Sequence, residues 1–190
     1  MITLDKIQAM KQIKTEFDQL NKEPNPNLGI TVGLVDKENI FNWRATLRAP
    51  KDSPYKGGIF TLTISFPDDY PKHPPEVCFL TPIYHVNINP CKSNLEPLGH
   101  VCISTLNWWE PKYTMNEVLT NIFGLFYMAN PDSPYGLDRA YEFRFNRDLY
   151  NEKIRYFVEK YAIHEKSSYY NEFESWDFSY HKWNSTLLIN

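Results

Sequence analysis

Phe60-Thr-Leu-Thr-Ile-Ser-Phe66 alternates apolar and hydroxyl side chains without a break. That is the period of a strand with one face on a core and the other toward water. Two earlier runs keep the same period: Ile30, Val32 and Leu34, then Phe41, Trp43, Ala45 and Leu47, the latter interleaved with Asn42, Arg44 and Thr46. Val77-Cys-Phe-Leu80 reads as a short fourth strand. The links are Asp52-Ser-Pro-Tyr-Lys-Gly-Gly58, a tight turn sequence, and Pro67-Asp-Asp-Tyr-Pro-Lys-His-Pro-Pro75, a stiff one. Successive strands on short links predict an antiparallel four-stranded meander whose outer face carries Thr61, Thr63 and Ser65.

Helices flank this meander. Leu4, Ile7, Met10, Ile13, Phe17 and Leu20 recur every three or four residues, which predicts an amphipathic first helix capped by Thr3 and ended by Pro24 and Pro26. Thr114-Met-Asn-Glu117 is a capping box opening a helix over 115–127, apolar on nearly every side and so expected at the centre of the core. Asn130-Pro-Asp-Ser-Pro134 breaks it, and two more helices are expected over 138–145 and 148–162. Between 83 and 111 periodicity is lost and the chain reads as a loop. The pattern is that of an α+β domain.

The 190 residues, 42% hydrophobic and 16% aromatic, suffice for one sizeable core. A net charge of -3 argues against a bulk basic surface for nucleic acid. No apolar run approaches the roughly 20 residues needed to span a bilayer, and no signal stretch opens the chain, so no membrane association is expected. Three cysteines (Cys78, Cys91 and Cys102) are too few and too scattered for a disulfide framework and fit a reducing compartment. The expected location is cytoplasmic, with the nucleus as a second possibility.

The aperiodic segment carries the chemistry. Cys102 stands in Gly99-His-Val-Cys-Ile-Ser-Thr-Leu106, after Ile83-Tyr-His-Val-Asn-Ile-Asn89 and before Trp109-Glu-Pro111. A cysteine in a polar loop is more often exposed than the buried, inert cysteines of packed cores, whereas Cys78, inside a strand, reads as a small core residue. With Trp43-Arg-Ala-Thr46, the Ser53-to-Gly58 turn, Phe66-Pro-Asp-Asp-Tyr-Pro71, Pro74-Pro75 and Asn130-Pro-Asp-Ser-Pro134, these landmarks resemble, in order and spacing, the ubiquitin-conjugating enzymes. The likeness runs from about Thr3 to Ala162.

The resemblance implies the ubiquitin-conjugating fold over 1–163. It implies that Cys102 takes ubiquitin as a thioester from an activating enzyme and that the carried ubiquitin passes to lysine on protein substrates, usually with a ligase. Asn87 would stabilise the oxyanion or order the loop that does so, His85 would hold that loop, and Ser133 would lie near the incoming lysine. Tyr84 and Trp109 would wall the site. Lys6, Lys72, Pro74, Trp109 and Pro111 would face partner proteins. No cofactor is implied on this chain, since the activating enzyme consumes the ATP.

The chain departs from the family pattern in several places. The family's His-Pro-Asn is His85-Val86-Asn87, and losing the proline is expected to hold Asn87 less firmly. Extra residues between Pro90 and Pro97, including Cys91, read as a flap over the thioester. Ser133 and Ser104 stand where relatives often carry acids, so lysine discharge is expected to be slow or ligase-dependent. Lys72 replaces an apolar ligase contact, unless it is simply a solvated loop charge, and Ala9 stands where a basic residue is common.

Two other readings stay open at this level, a carrier of another ubiquitin-like modifier and a non-catalytic ubiquitin-binding scaffold of the same fold. Metal binding by His85, Cys91, His100 and Cys102 is not expected, because Cys91 and Cys102 are spaced too widely for a structural zinc site. Residues 164–190 form an extension in which Tyr169, Phe173, Trp176, Tyr180 and Trp183 would share one helical stripe. That stripe would pack on the protein's own body or meet a partner.

Overall fold

The computed structural model describes residues 3–24, 28–90 and 98–163. The expected flap with Cys91 and the expected aromatic helix over 164–190 lie outside the described residues. The elements follow the order read from the sequence. Helix α1 (Leu4–Lys22) is followed by strands β1 (Ile30–Asp36), β2 (Asn39–Arg48), β3 (Ile59–Ser65) and β4 (Glu76–Phe79). Helices α2 (Ser104–Asn107), α3 (Met115–Gly124), α4 (Leu137–Phe145) and α5 (Arg147–Phe157) come next, the last continuing into a π-helical turn, Val158–Ala162.

The four strands pair antiparallel in sequence order. Register stacks the alternating positions into rows across the sheet. Val32 lies opposite Ala45, Ala45 opposite Leu62 and Leu62 opposite Phe79, and a second row runs Leu34, Trp43, Ile64, Val77. Because side chains alternate faces, this register points both rows to one side, where all but Val32 and Leu34 are fully buried. Thr61 is the exception to the predicted polar face. It is buried, its N–H donating to Thr81 Oγ1 and its carbonyl accepting from Leu80 and Thr81.

α3 starts with the predicted capping box. Thr114 Oγ1 accepts from Glu117 N–H, and the Glu117 carboxylate accepts from Thr114 N–H. The helix stops at Gly124, three residues short of expectation, and it is amphipathic instead of apolar all round. Met115, Val118, Leu119, Ile122 and Phe123 are buried, while Asn116, Glu117, Thr120 and Asn121 face out.

α1 carries the predicted Thr3 cap, with Oγ1 accepting from Lys6 N–H at 3.2 Å, and the second half of the predicted stripe, Ile13, Phe17 and Leu20, packs on the core while the first half does not. Ala9, Ile13 and Glu16 are buried, whereas Leu4 is 70% exposed and Ile7 and Met10 are also exposed. The face is turned by Glu16, whose carboxylate accepts from the Tyr70 hydroxyl at 2.9 Å, from Gln12 Nε2 at 2.8 Å and from Met115 N–H at 2.7 Å. Met115 opens α3, so this anion sits where a helix leaves its first donors unpaired. Glu16→Ala strands buried donors at a cost of about 2–4 kcal/mol, and the melting temperature is expected to fall by about 10 °C. A melting curve matching the parent's would show that Glu16 does not tie α1 to α3.

Candidate active site

Within the aperiodic stretch 83–111, residues 83–90 and 98–103 carry no helix or strand, as expected of a loop, but they are packed into the body of the protein. Ile83, Tyr84, His85, Val86, Asn87, Ile88 and Asn89 are all buried. The returning arm, 98–101, lies between them and β4. Phe79 N–H donates to Gly99 O at 2.8 Å and Val101 N–H to Val77 O at 3.2 Å, while Asn89 N–H donates to His100 O at 2.9 Å. Gly99 has φ +79°, and a Cβ there would come within 2.0 Å of Phe79 O, so only glycine fits this approach. The arm delivers Cys102, whose N–H donates to Asn87 O at 3.0 Å. Loss of side-chain alternation concealed this pairing, because the arm is held by single bridges instead of a full ladder.

Asn87 is 1% exposed and held by five hydrogen bonds. Its Nδ2 donates to Asn130 O at 2.8 Å and Ser133 O at 2.9 Å, and its Oδ1 accepts from Asn130 N–H at 2.7 Å. Its own N–H donates to His85 Nδ1 at 2.9 Å, and its carbonyl holds Cys102. Both amide hydrogens are thus donated to this neighbouring loop, the geometry expected of a loop-ordering residue. A tie that proline could not make stands at the position before Asn87. Val86 has the N–H that proline lacks, and it donates to Tyr150 Oη at 3.2 Å.

His85 accepts Asn87 N–H on Nδ1, which leaves its proton on Nε2, 3.0 Å from Leu125 O. Both nitrogens are engaged, so His85 offers no lone pair to a metal and no free base to a substrate. Burial drives its pKa down to about 4 from 6.5, against a smaller opposing effect of the Leu125 carbonyl. The folded pKa is therefore below the unfolded one. The contribution is full above about pH 6.5 and is lost as pH falls toward 4, because the unfolded chain takes the proton first. Acidifying from pH 7 to pH 5 is expected to cost about 2 kcal/mol through this group. In urea titrations, His85→Gln should lose that part of the pH dependence; an unchanged slope would remove His85 from the account.

Cys102 is half-exposed and lines an open groove of about 570 Å³ with Ser104, Asn107, Trp108, Asn121, Met128 and Ser133 among its walls. Asn107 Nδ2 donates to Cys102 Sγ at 3.1 Å, and Ser133 Oγ lies 3.6 Å from it. Asp132, the acid beside Ser133 in sequence, is ion-paired with Arg144. Sequence reading missed Asn107 and Trp108. A four-residue helix has no readable period, and it is α2 that folds Asn107 back over the thiol.

Tyr84 and Trp109 do not wall this groove. Tyr84 is in the core, its hydroxyl donating to Glu142 Oε2 at 2.7 Å, and Trp108, 79% exposed, takes the place expected for its neighbour. Trp109 Nε1 donates to Pro71 O at 2.7 Å, with its ring against Tyr70 and Tyr113. There it lies near other predicted partner-facing residues. Lys6 pairs with Asp68 at 2.9 Å and Lys72 with Asp5 at 3.0 Å, crossing between α1 and the 67–75 loop. Lys72 is thus an ion-paired surface charge, of the kind worth about 0–1 kcal/mol. Pro74 is half-buried in the same loop, and Pro111 is exposed in the turn after Trp109. Cys78 is a buried free thiol, as expected of a core residue.

The site thus brings a half-exposed thiol, a clamped asparagine and a loop-holding histidine together on an antiparallel meander with flanking helices. A family model described as ubiquitin-conjugating enzyme matches residues 12–158, which contain every one of these groups. The chain belongs to the ubiquitin-conjugating enzyme family.

Proposed function

We propose that this chain accepts ubiquitin from an activating enzyme as a thioester on Cys102 and transfers it to lysine amines of protein substrates, with a ligase bringing them together. The observation that carries this reading is Cys102 itself, half-exposed in an open groove and anchored by its N–H to the clamped Asn87. In loading, the Cys102 thiolate attacks the carbonyl carbon of the incoming thioester and the activating enzyme's thiolate leaves. In discharge, a lysine nitrogen attacks the same carbon, a C–N bond forms, and the C–S bond breaks with its electron pair returning to Cys102. The attacking amine must also lose a proton. With Ser133 and Ser104 in place of acids and Asp132 held by Arg144, that proton goes to solvent or to a group a ligase supplies. Discharge to free lysine is therefore slow in this reading.

Lys6, Lys72, Pro74, Trp109 and Pro111 form the proposed partner face, with residues 164–190 as an extension beyond the core. Incubation with ubiquitin, ATP and an activating enzyme tests the proposal. A product one ubiquitin heavier than the chain, lost on adding reductant, is expected. Failure to charge with ubiquitin alongside charging by a related modifier would redirect the assignment. No adduct with any modifier would leave a non-catalytic scaffold.

A further inference from the structure

We propose that Asn107 is a further catalytic residue, its side-chain amide donating to the Cys102 sulfur and stabilising the negative charge that sulfur carries in both half-reactions. The inference deepens the thioester reading above and rests on it for its biological meaning. Its physical basis is independent of ubiquitin.

Negative charge resides on Sγ twice, first when the thiolate attacks and again when it leaves. A preorganised donor aimed at that atom lowers both barriers. Asn87 cannot be that donor in this arrangement, since its two amide hydrogens go to Asn130 O and Ser133 O. His85 is turned away to Leu125 O. Among the described residues, the polar side-chain atoms hydrogen-bonded to Sγ are Asn107 Nδ2 at 3.1 Å and Ser133 Oγ at 3.6 Å. The nearer is a donor, whereas the hydroxyl can serve as either.

Asn107 is also held in place. It ends α2, its own N–H donating to Ile103 O at 2.9 Å. Leu106, one residue before it, is buried in the core, and Trp109, two residues after it, is fixed to Pro71 O. A side chain pinned between two anchors loses little freedom on meeting the sulfur. Being exposed, it has no packing role that its removal would disturb.

Alkylation of the full chain by iodoacetamide at pH 7, followed on the Cys102 peptide by mass spectrometry, tests this without ubiquitin. Nitrogen-to-sulfur donation gives a definite order. Asn107→Ala is expected to react about tenfold more slowly than the parent, the order for one charge-assisted hydrogen bond. Asn107→Asp, which removes the donor and adds a like charge, should be slower still, and Asn107→Gln should recover part of the rate. Melting temperatures of all three should match the parent. Parent-like alkylation of Asn107→Ala, or faster alkylation of Asn107→Asp, overturns the proposal. With ubiquitin and the activating enzyme, loading and discharge should both slow in Asn107→Ala. A parent chain that alkylates with the expected variant order yet never charges would sink the thioester reading and leave the donor role standing.

Discussion

Cys102→Ser, incubated with ubiquitin, ATP and an activating enzyme, is expected to yield an adduct that survives reductant, and Cys102→Ala to yield none. The expectation follows from the exchange of sulfur for oxygen at one atom. Serine can form an ester with the same carbonyl, but an alkoxide is a far poorer leaving group than a thiolate, so the ester persists where the thioester is cleaved by thiols. The fold should tolerate both changes, because Cys102 is tied to Asn87 through its backbone N–H, which neither substitution touches. Cys78 cannot take over. It is buried, and burial together with the neighbouring Glu76 carboxylate pushes its thiol up to about 12. A reductant-sensitive adduct on Cys102→Ala would move the nucleophile elsewhere and undo the site assignment.

The meander was readable because its signal is local. Period-two alternation names the buried face, and short links name the neighbour, so the row Val32, Ala45, Leu62, Phe79 needs no knowledge of distant residues. The Thr114 and Glu117 box was readable for the same reason, since both partners lie within one turn. Cys102, Asn87 and His85 could be located by motif, but what each side chain does depends on residues far along the chain. Asn87 is committed by carbonyls 43 and 46 positions away, and Trp109 is turned from the groove by one 38 positions away. The face that α1 buries depends on Tyr70 and Met115, which draw a carboxylate into a position any periodicity rule would give to an apolar residue. Asn107 left no pattern at all, because its partner is a sulfur five residues away across a single turn.

The Asn87 clamp has the second large consequence. Asn87→Ala should slow discharge to lysine by about tenfold or more while changing loading much less. The three side-chain hydrogen bonds lost on this substitution all run to Asn130 or Ser133. The bond that seats Cys102 comes from the Asn87 backbone and remains. The thiol therefore keeps its place for exchange with another thioester, whereas the loop that carries Ser133 to within 3.6 Å of Sγ loses its side-chain tether to Asn87. Amine attack, which needs that loop beside the carbonyl, bears the loss. A direct oxyanion donor would give a similar rate but a different physical trace. If Asn87 acts as a clamp, amide hydrogen exchange at Asn130 and over 132–135 should rise in Asn87→Ala. Asn87→Asp should discharge more slowly than Asn87→Ala, because its second oxygen would face the Asn130 and Ser133 carbonyls where a donor stood. If discharge falls while exchange in that loop stays at the parent level, Asn87 acts on the reacting carbonyl and the clamp is not its catalytic contribution. If loading and discharge fall together with the melting temperature, the effect is on folding and neither role is isolated by the substitution.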